Sequence, residues 1–247
     1  MNSNAQIRQK AREVLLNGWN RYALVSLIVF AAYVLTGELG RYFAESAAFS
    51  NAGGAAGVIG QYVIPIGINV ILGLILSLVF YGLQFYFLKL IRNEHSMNTE
   101  AVGSTAGMPL LSDLGAAFRL GPDRFLVISI ILTAMEWICF LPLRVLIFSR
   151  PLTIIWCIIG LLIYVYLYLH IIFATRILFE NENLSASAAI TKSIRYTRGR
   201  IIPLLKMLLS FVPLLLLAAC SLFIGLIWLI PYVETSVSEF YVEAVKE

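Results

Sequence analysis

The chain has 247 residues, of which 60% are apolar and 13% are charged, with a mean hydropathy of +0.86 and a formal net charge of +4. Soluble domains are about 45–50% apolar and about 25% charged, so a soluble fold of this composition would expose apolar surface and aggregate. The apolar runs are continuous, which excludes barrel strands because those alternate apolar and polar residues. Composition therefore predicts an all-α polytopic membrane bundle, formed by residues 1–247 as a single domain.

The first 21 residues are polar and basic, and no small-residue cleavage site follows a short apolar core. We therefore expect the first apolar segment to remain in the protein as an anchor. Residues 3–19 have apolar residues at helical spacing, which predicts an amphipathic helix with Arg8, Lys10 and Arg12 off the apolar stripe. The stripe comprises Ile7, Ala11, Val14, Leu15, Gly18 and Trp19. Such a helix either lies in the headgroup layer or packs on the bundle.

Long apolar runs predict about six membrane spans. They are residues 22–40, 62–92, 125–148, 152–179, 201–219 and 221–243. The Gly/Ala-rich segment 46–60 is predicted to be an external loop that either stays outside or re-enters the membrane. The polar stretch 93–124 is predicted to be a loop with a short interfacial helix at 112–119.

The last two spans share one apolar run, Ile201–Pro231, which is too short for two crossings because each needs about 20 residues. Either the run is a single span, or the sixth span continues past Pro231. We favour two spans with a turn near Ala218–Ser221. In that case Val233, Val237, Phe240 and Ala244 form a stripe that we expect to face lipid.

Residues 185–198 predict a short cytoplasmic helix before the last two spans. Ser185 is placed to cap its start, and Gly199 is placed for a left-handed stop at its end. One face of this helix is small or apolar, and the other carries Lys192, Arg195 and Arg198. Together with Arg8 and Arg12, these basic residues are candidates to face lipid headgroups or a partner.

Basic loops stay in the cytoplasm, so the distribution of Lys and Arg predicts the orientation. With six spans and a cytoplasmic N-terminus, 15 of the 18 Lys and Arg residues lie on the cytoplasmic side. Arg41, Arg144 and Arg150 lie outside. We therefore expect a membrane protein with both termini in the cytoplasm. In the five-span alternative, the only Lys or Arg residue that changes sides is Lys246, which would lie outside.

Ionisable residues at membrane depth are costly and are candidates for function. Glu136 lies about 16 Å from Phe125 along its helix, which predicts a position near the midplane. Glu234 is predicted at a similar depth, and His170 in the inner half of its span. These three form a candidate intramembrane polar site, with a structural role as the alternative for each. Lys206 and Arg176 are expected to extend to the cytoplasmic rim.

The chain has no Gly-x-Ser-x-Gly, His-Glu-x-x-His or phosphate-loop motif, so we expect neither an enzyme nor catalytic residues. No cofactor is expected. Cys139, Cys157 and Cys220 lie in separate apolar runs, where their spacing does not predict a metal site.

Several segments resemble a bacterial membrane family, domain of unknown function 975 (DUF975). They are Ala11-Arg-Glu-Val-Leu, Phe87-Leu-Lys-Leu, Asn183-Leu-Ser-Ala, Ala189-Ile with Ser193, Leu208-Leu-Ser-Phe, Ile224-Gly-Leu-Ile-Trp-Leu-Ile-Pro-Tyr and Phe240-Tyr. The resemblance implies a small multi-span protein without assigned chemistry. More distantly, the chain is similar to membrane portions attached to some glycerophosphodiester phosphodiesterases, whose catalytic domain it lacks.

Two functions follow as hypotheses. One is a non-enzymatic envelope or membrane factor whose basic cytoplasmic helices contact membrane lipids, a protein partner or a second copy. The other is a small transporter or channel-like permease that uses Glu136 and Glu234. Three charges on a helix next to a membrane span are explained by attraction to lipid, so nucleic acid is not an expected partner.

Overall fold

The computed structural model describes residues 3–16, 18–48, 64–98, 109–145 and 150–246. Within these ranges the chain forms eleven α-helices and no strand, which confirms the predicted all-α fold class. The helices are α1 (Asn4–Leu16), α2 (Trp19–Ala48), α3 (Ile64–Asn98), α4 (Ala116–Arg119), α5 (Pro122–Val145), α6 (Arg150–Ile171), α7 (Ala174–Glu180), α8 (Ala186–Thr197), α9 (Ile201–Leu209), α10 (Val212–Cys220) and α11 (Leu226–Lys246). A short 3-10 turn, Leu111–Gly115, precedes α4.

Five helical segments of the described chain are long and apolar enough to cross a membrane. They are Trp19–Tyr42, Ile66–Ser96, Pro122–Leu141, Leu152–Glu180 and Ile201–Cys220. Large apolar side chains are exposed on their outer surface. On α6, for example, Leu162 is 66% exposed and Ile154 is 60% exposed. Water would disfavour such a surface and lipid would not, so the chain has the composition and shape of a multi-pass membrane protein.

Two helices extend beyond their predicted ends. The first span was predicted to end at residue 40, but α2 continues to Ala48. The second was predicted to end at residue 92, but α3 continues to Asn98, so 93–98 is helix rather than loop. Beyond its first three residues, the predicted loop 46–60 lies outside the described residues, and its re-entry stays a prediction.

The predicted apolar stripe of α1 packs on the bundle. Ile7, Ala11 and Leu15 are fully buried, and α1 contacts α11 more than any other helix. The apolar face is therefore covered by protein rather than by lipid tails. Of the two predicted placements, the structure has the one in which this helix packs on the bundle.

The fourth predicted span is divided into α6 and α7 by a break at Ile172–Phe173. The cause is Ser193 of α8, whose hydroxyl donates to the carbonyl of His170 at 2.6 Å and accepts from the backbone N–H of Phe173 at 3.2 Å. A side chain inserted into the helical hydrogen-bond ladder interrupts the helix. The sequence did not predict this break because Ser193 is distant from it along the chain.

The fifth predicted span is also divided, at Ser210–Phe211 between α9 and α10. Pro213 explains the break because it lacks the N–H that would continue the ladder. After α10 the chain reverses over residues 221–225, where Leu222 and Phe223 have left-handed φ values of 52° and 66°. The predicted turn lay slightly earlier, at Ala218–Ser221.

Helix α11 runs antiparallel to α9 and α10 and contacts residues of this segment at three points. Near the turn, a Cβ on Gly225 would lie 2.9 Å from the Cα of Ala218. Further along, the rings of Phe211 and Tyr232 are 5.1 Å apart. At the far end, the Arg200 guanidinium donates to the carbonyl of Ala244 at 3.1 Å. The predicted sixth crossing stays a prediction, because α11 is more polar than the five apolar segments.

The C-terminal stripe predicted to face lipid faces the protein interior instead. Val237 is 3% exposed, Phe240 is fully buried and Ala244 is 1% exposed. Helix α11 packs against α1, α2 and α3, so its apolar and polar sides are both covered. The expectation of a lipid-facing stripe was wrong because periodicity shows which residues share a face, but not whether lipid or protein covers it.

The segments predicted to be cytoplasmic meet at one end of the bundle. Lys89 pairs with Asp113 at 3.0 Å, and Arg92 donates to Glu180 at 2.7 Å. Glu239 pairs with both Lys10 and His95, and the amine of Lys246 lies 3.3 Å from Nδ1 of the same His95 ring. The hydroxyl of Tyr241 donates to Glu180 at 2.7 Å.

The predicted cytoplasmic helix is α8. Ser185 caps it by accepting from the backbone N–H of Ala188 at 3.3 Å, and Gly199 has the left-handed φ of 79° that ends it. The predicted helix at 112–119 is present as the 3-10 turn and α4. Both short helices lie at the polar end. Asp113, in the turn before α4, pairs with Lys89, and Arg200, just after α8, donates to the carbonyl of Ala244 near the end of α11.

Candidate functional site

Glu136 lines a cavity of about 590 Å³ among α2, α3, α5, α6, α7 and α11. Long apolar helices position it: Glu136 lies on α5, and Tyr164 of α6 lies close enough to interact with its charge. Most of the lining is apolar, and it includes Phe30, Leu132 and Ile230. A cavity of this size and chemistry matches the size range of small-molecule sites.

A row of hydroxyl groups lies on the α3–α5 side of the cavity. The oxygens of Ser77 and Ser129 are 2.5 Å apart, and the hydroxyl oxygen of Tyr81 is 3.0 Å from that of Ser129. Ser77 also donates to the carbonyl of Leu74 at 2.6 Å. Each hydroxyl therefore has a protein partner, which lowers the cost of placing polar groups in an apolar setting.

Another polar contact lies nearer the polar end. The hydroxyl of Thr175 donates to the side-chain carbonyl of Gln84 at 2.6 Å, and both residues line the cavity. Both are 4% exposed, so the bond is shielded from water. It joins α7 to α3 on the side of the cavity toward the predicted cytoplasm.

Arg176, the next residue, forms a buried ion pair with Glu234 of α11. Its guanidinium donates to the Glu234 carboxylate at 2.6 Å, to the Ser238 hydroxyl at 3.3 Å and to the carbonyl of Ile172 at 3.0 Å. Arg176 is only 1% exposed. The prediction that it extends to the rim was wrong, because Glu234 compensates its charge inside the bundle.

His170 lies away from the cavity. Tyr164 and Tyr168, four residues apart, share the helix face that lines the cavity, whereas His170 is two residues further and points to another side. Its Nδ1 lies 2.9 Å from the carbonyl of Tyr166, and the two rings are 4.6 Å apart. These contacts are those of a packed surface histidine.

The five basic candidate residues divide into two groups. Arg12, Arg195 and Arg198 are exposed, and Lys192 is half-exposed. Arg8 instead points inward and donates to the Ser210 hydroxyl at 2.9 Å, at the break between α9 and α10. Arg8 is half-buried and binds the bundle through this hydrogen bond, and its contact with lipid or a partner stays a prediction.

Comparison with known proteins identifies the family. A family model described as a protein of unknown function, DUF975, matches residues 1–247. The chain belongs to the DUF975 family. No curated protein and no solved structure matches it. The more distant similarity to glycerophosphodiester phosphodiesterases is not supported by these comparisons.

In this DUF975 chain, the three predicted intramembrane residues do not form one site. Glu136 lines the cavity, whereas Glu234 is bound to Arg176 and, like His170, is not among the described lining residues. The sequence analysis missed the Arg176–Glu234 pair. The signal that could have revealed it was the presence of opposite charges in two predicted spans, Arg176 in the fourth and Glu234 in the sixth.

No three side chains among His, Cys, Asp and Glu cluster in the described ranges in a way that could hold a metal ion. The chemistry available at the cavity is therefore that of one carboxylate, several hydroxyls and aromatic faces. Such groups can bind and orient a ligand.

Proposed function

We propose that this DUF975 protein is a non-enzymatic membrane factor whose basic cytoplasmic end binds anionic lipid headgroups. The observation that carries the proposal is the arrangement of α1 and α8. Small residues of each helix are fully buried against the bundle, namely Ala11, Ala189 and Ser193, while Arg12, Arg195 and Arg198 are exposed. This leaves positive charge free at the end of the bundle that we assign to the cytoplasm.

The physical basis is attraction between arginines and the anionic inner leaflet, which is about 1 kcal/mol for each basic residue near the surface. The same end also exposes apolar side chains beside the 3-10 turn. Leu110 is 57%, Leu111 is 54% and Phe118 is 44% exposed. Apolar groups next to basic ones suit the boundary between headgroups and tails. The setting we propose is a bacterial cytoplasmic membrane with both termini inside.

Lipid selectivity tests this proposal. Full-length protein in micelles is titrated with phosphatidylglycerol and, separately, phosphatidylcholine, and bound lipids are counted by native mass spectrometry. We expect preferential retention of phosphatidylglycerol. Replacing Arg12, Arg195 and Arg198 together by Gln should lower it by about tenfold or more, since each charge contributes about 1 kcal/mol.

The matched control is Arg41→Gln, which removes an exposed arginine predicted to lie on the opposite side. It should leave phosphatidylglycerol retention unchanged. Equal retention of the two lipids, or a triple variant that holds phosphatidylglycerol like the wild type, contradicts lipid binding. Saturable capture of a protein by the arginines without lipid preference would favour a protein partner instead.

One observation favours the alternative, a small transporter or channel-like permease that uses Glu136 and Glu234. Glu136 lines a cavity inside an apolar bundle, where transporters place substrate sites. For Glu234 to act, its pair with Arg176 would have to open. Uptake into liposomes by the wild type and by Glu136→Gln, measured over a substrate panel, tests this function. Identical uptake by both counts against it.

A further inference from the structure

The cavity that Glu136 lines is enclosed by apolar helices. Its walls include Val29, Gly73, Leu132 and Tyr164, which belong to four of the five segments long and apolar enough to cross a membrane. The medium around these segments is therefore the hydrocarbon of the bilayer. Hydrocarbon dissolves neutral apolar molecules and disfavours ions, so the surroundings of the bundle supply mainly neutral ligands.

The charged groups near the cavity also favour a neutral ligand. Its described lining residues include no Lys, Arg or His that would bind an anion. Glu136 interacts with other groups of the protein, Tyr164 among them, and Arg176 is paired with Glu234. A ligand therefore needs no charge to fit this lining.

One polar side chain of the lining has unused hydrogen-bond donors. The side-chain oxygen of Gln84 accepts from Thr175 at 2.6 Å, whereas its amide nitrogen donates to no group in the part of the chain that the structure describes. Gln84 lines the cavity and is only 4% exposed. A buried amide donor without an acceptor is unfavourable, so an acceptor held inside the cavity would stabilise this arrangement.

The other walls determine how the rest of a ligand is held. Phe30, Leu76, Phe80 and Ile128 contribute apolar and aromatic surface, and the cavity volume of about 590 Å³ suits a small molecule. In such cavities apolar burial provides most of the affinity, and a few polar groups fix the orientation. Gln84 is placed to fix it, with the acceptor of the ligand directed toward α3 and α7.

We propose that this cavity binds a neutral, largely apolar molecule whose carbonyl or other hydrogen-bond acceptor is oriented by the Gln84 amide. Binding at this site needs no transport reaction, and it is separate from the basic end proposed to bind lipid headgroups. The competing occupant is water, which can also accept from the amide.

Fluorenone and fluorene are a matched pair of probes, because they share one fused-ring skeleton and only fluorenone has a carbonyl. Full-length protein in phosphatidylcholine nanodiscs is dialysed to equilibrium against each compound, and uptake by empty nanodiscs is subtracted. We expect saturable binding of both compounds, with fluorenone bound about three- to tenfold more tightly. One additional hydrogen bond from a neutral donor accounts for a difference of this size.

Gln84→Met tests the hydrogen bond. Met has a similar length and flexibility but no N–H donor, so it keeps the shape of the wall. The variant should bind fluorenone and fluorene with equal affinity. Its affinity for fluorene, which does not use the amide, should match that of the wild type.

Gly73→Leu tests the location independently of hydrogen bonding. An added Cβ on Gly73 would meet nothing within 4 Å, and Gly73 lines the cavity, so the larger side chain fills the space without a backbone clash. It should abolish binding of both compounds. The control is Gly67→Leu on the same helix, where an added Cβ also meets nothing within 4 Å. Gly67 is exposed and is not among the described lining residues, so this variant should bind like the wild type.

Absence of saturable binding of either compound would leave water as the occupant and overturn the proposal. So would equal affinity of the wild type for the two compounds, a preference for fluorenone that persists in Gln84→Met, or unchanged binding in Gly73→Leu. If Gln84→Met does not fold, the preference of the wild type for fluorenone and the loss of binding in Gly73→Leu decide the matter.

Discussion

Arg176 lies in a mostly apolar segment, is 1% exposed and gives all three of its described hydrogen bonds to protein groups. The carboxylate of Glu234 supplies the opposite charge at 2.6 Å. Desolvating both groups is costly, and the attraction between them offsets much of that cost only while both are present. Burying either Arg176 or Glu234 without the other would therefore be strongly unfavourable.

This balance predicts the outcome of a double-mutant cycle. Glu234→Gln or Arg176→Met alone should lower the free energy of unfolding by about 3–5 kcal/mol, because a buried charge loses its partner. The double variant should be more stable than either single one. Unfolding by SDS titration in mixed micelles measures all four proteins. Additive losses would contradict the pairing.

For single residues, the sequence predicted which charged side chains lie within apolar segments, but it did not predict which residues they contact. It placed Glu136 inside a span, and the structure puts it in a cavity. It did not predict that Arg176 meets Glu234, because α7 and α11 are 58 positions apart in sequence at that contact. Long side chains reach several directions from one backbone position, so only packing decides which neighbour they meet.

Helices α5 and α6 approach closely at Gly160. A Cβ at this position would lie 2.4 Å from the carbonyl oxygen of Cys139, and Trp156 donates to the same carbonyl at 3.1 Å. In membranes, small residues allow such close approach, and helix association depends on the packing that results. Gly160 is therefore a contact point that no larger residue fits without displacing a helix.

Gly160→Ala should destabilise the bundle by about 1–3 kcal/mol, because the methyl group must push α5 and α6 apart. The matched control is Gly37→Ala on α2, where an added Cβ meets nothing within 4 Å. The control should keep wild-type stability or exceed it, since Ala favours helix over Gly. Thermal unfolding in detergent compares the two. An equal effect of both substitutions would refute the close contact.

Local signals predicted both ends of α8, but they did not predict the ends of α2 and α3 or every break within a helix. Ser185 and Gly199 bound α8 as expected, because capping depends on neighbouring residues. The break between α9 and α10 was not predicted, although Pro213 accounts for it. The break between α6 and α7 was not predictable, since it depends on Ser193 reaching across from α8.

The whole molecule is a bundle with an apolar outer surface and a polar end that gathers α1, the end of α3, the turn at 111–115, α8 and the end of α11. Hydropathy predicted the apolar segments, because lipid imposes a strong requirement on composition. It misassigned the environment of α11, whose apolar stripe is covered by helices. We therefore expect the polar end, with its exposed arginines, to face the cytoplasm.

The predicted orientation is tested most directly by finding from which side of the membrane an introduced cysteine is labelled. In a chain whose three cysteines are replaced by Ser, Arg195→Cys and Arg41→Cys are introduced separately and treated with a membrane-impermeant maleimide in sealed right-side-out vesicles. We predict that Arg41→Cys is labelled at once and Arg195→Cys only after the vesicles are permeabilised. Labelling of Arg195→Cys in sealed vesicles would contradict the account.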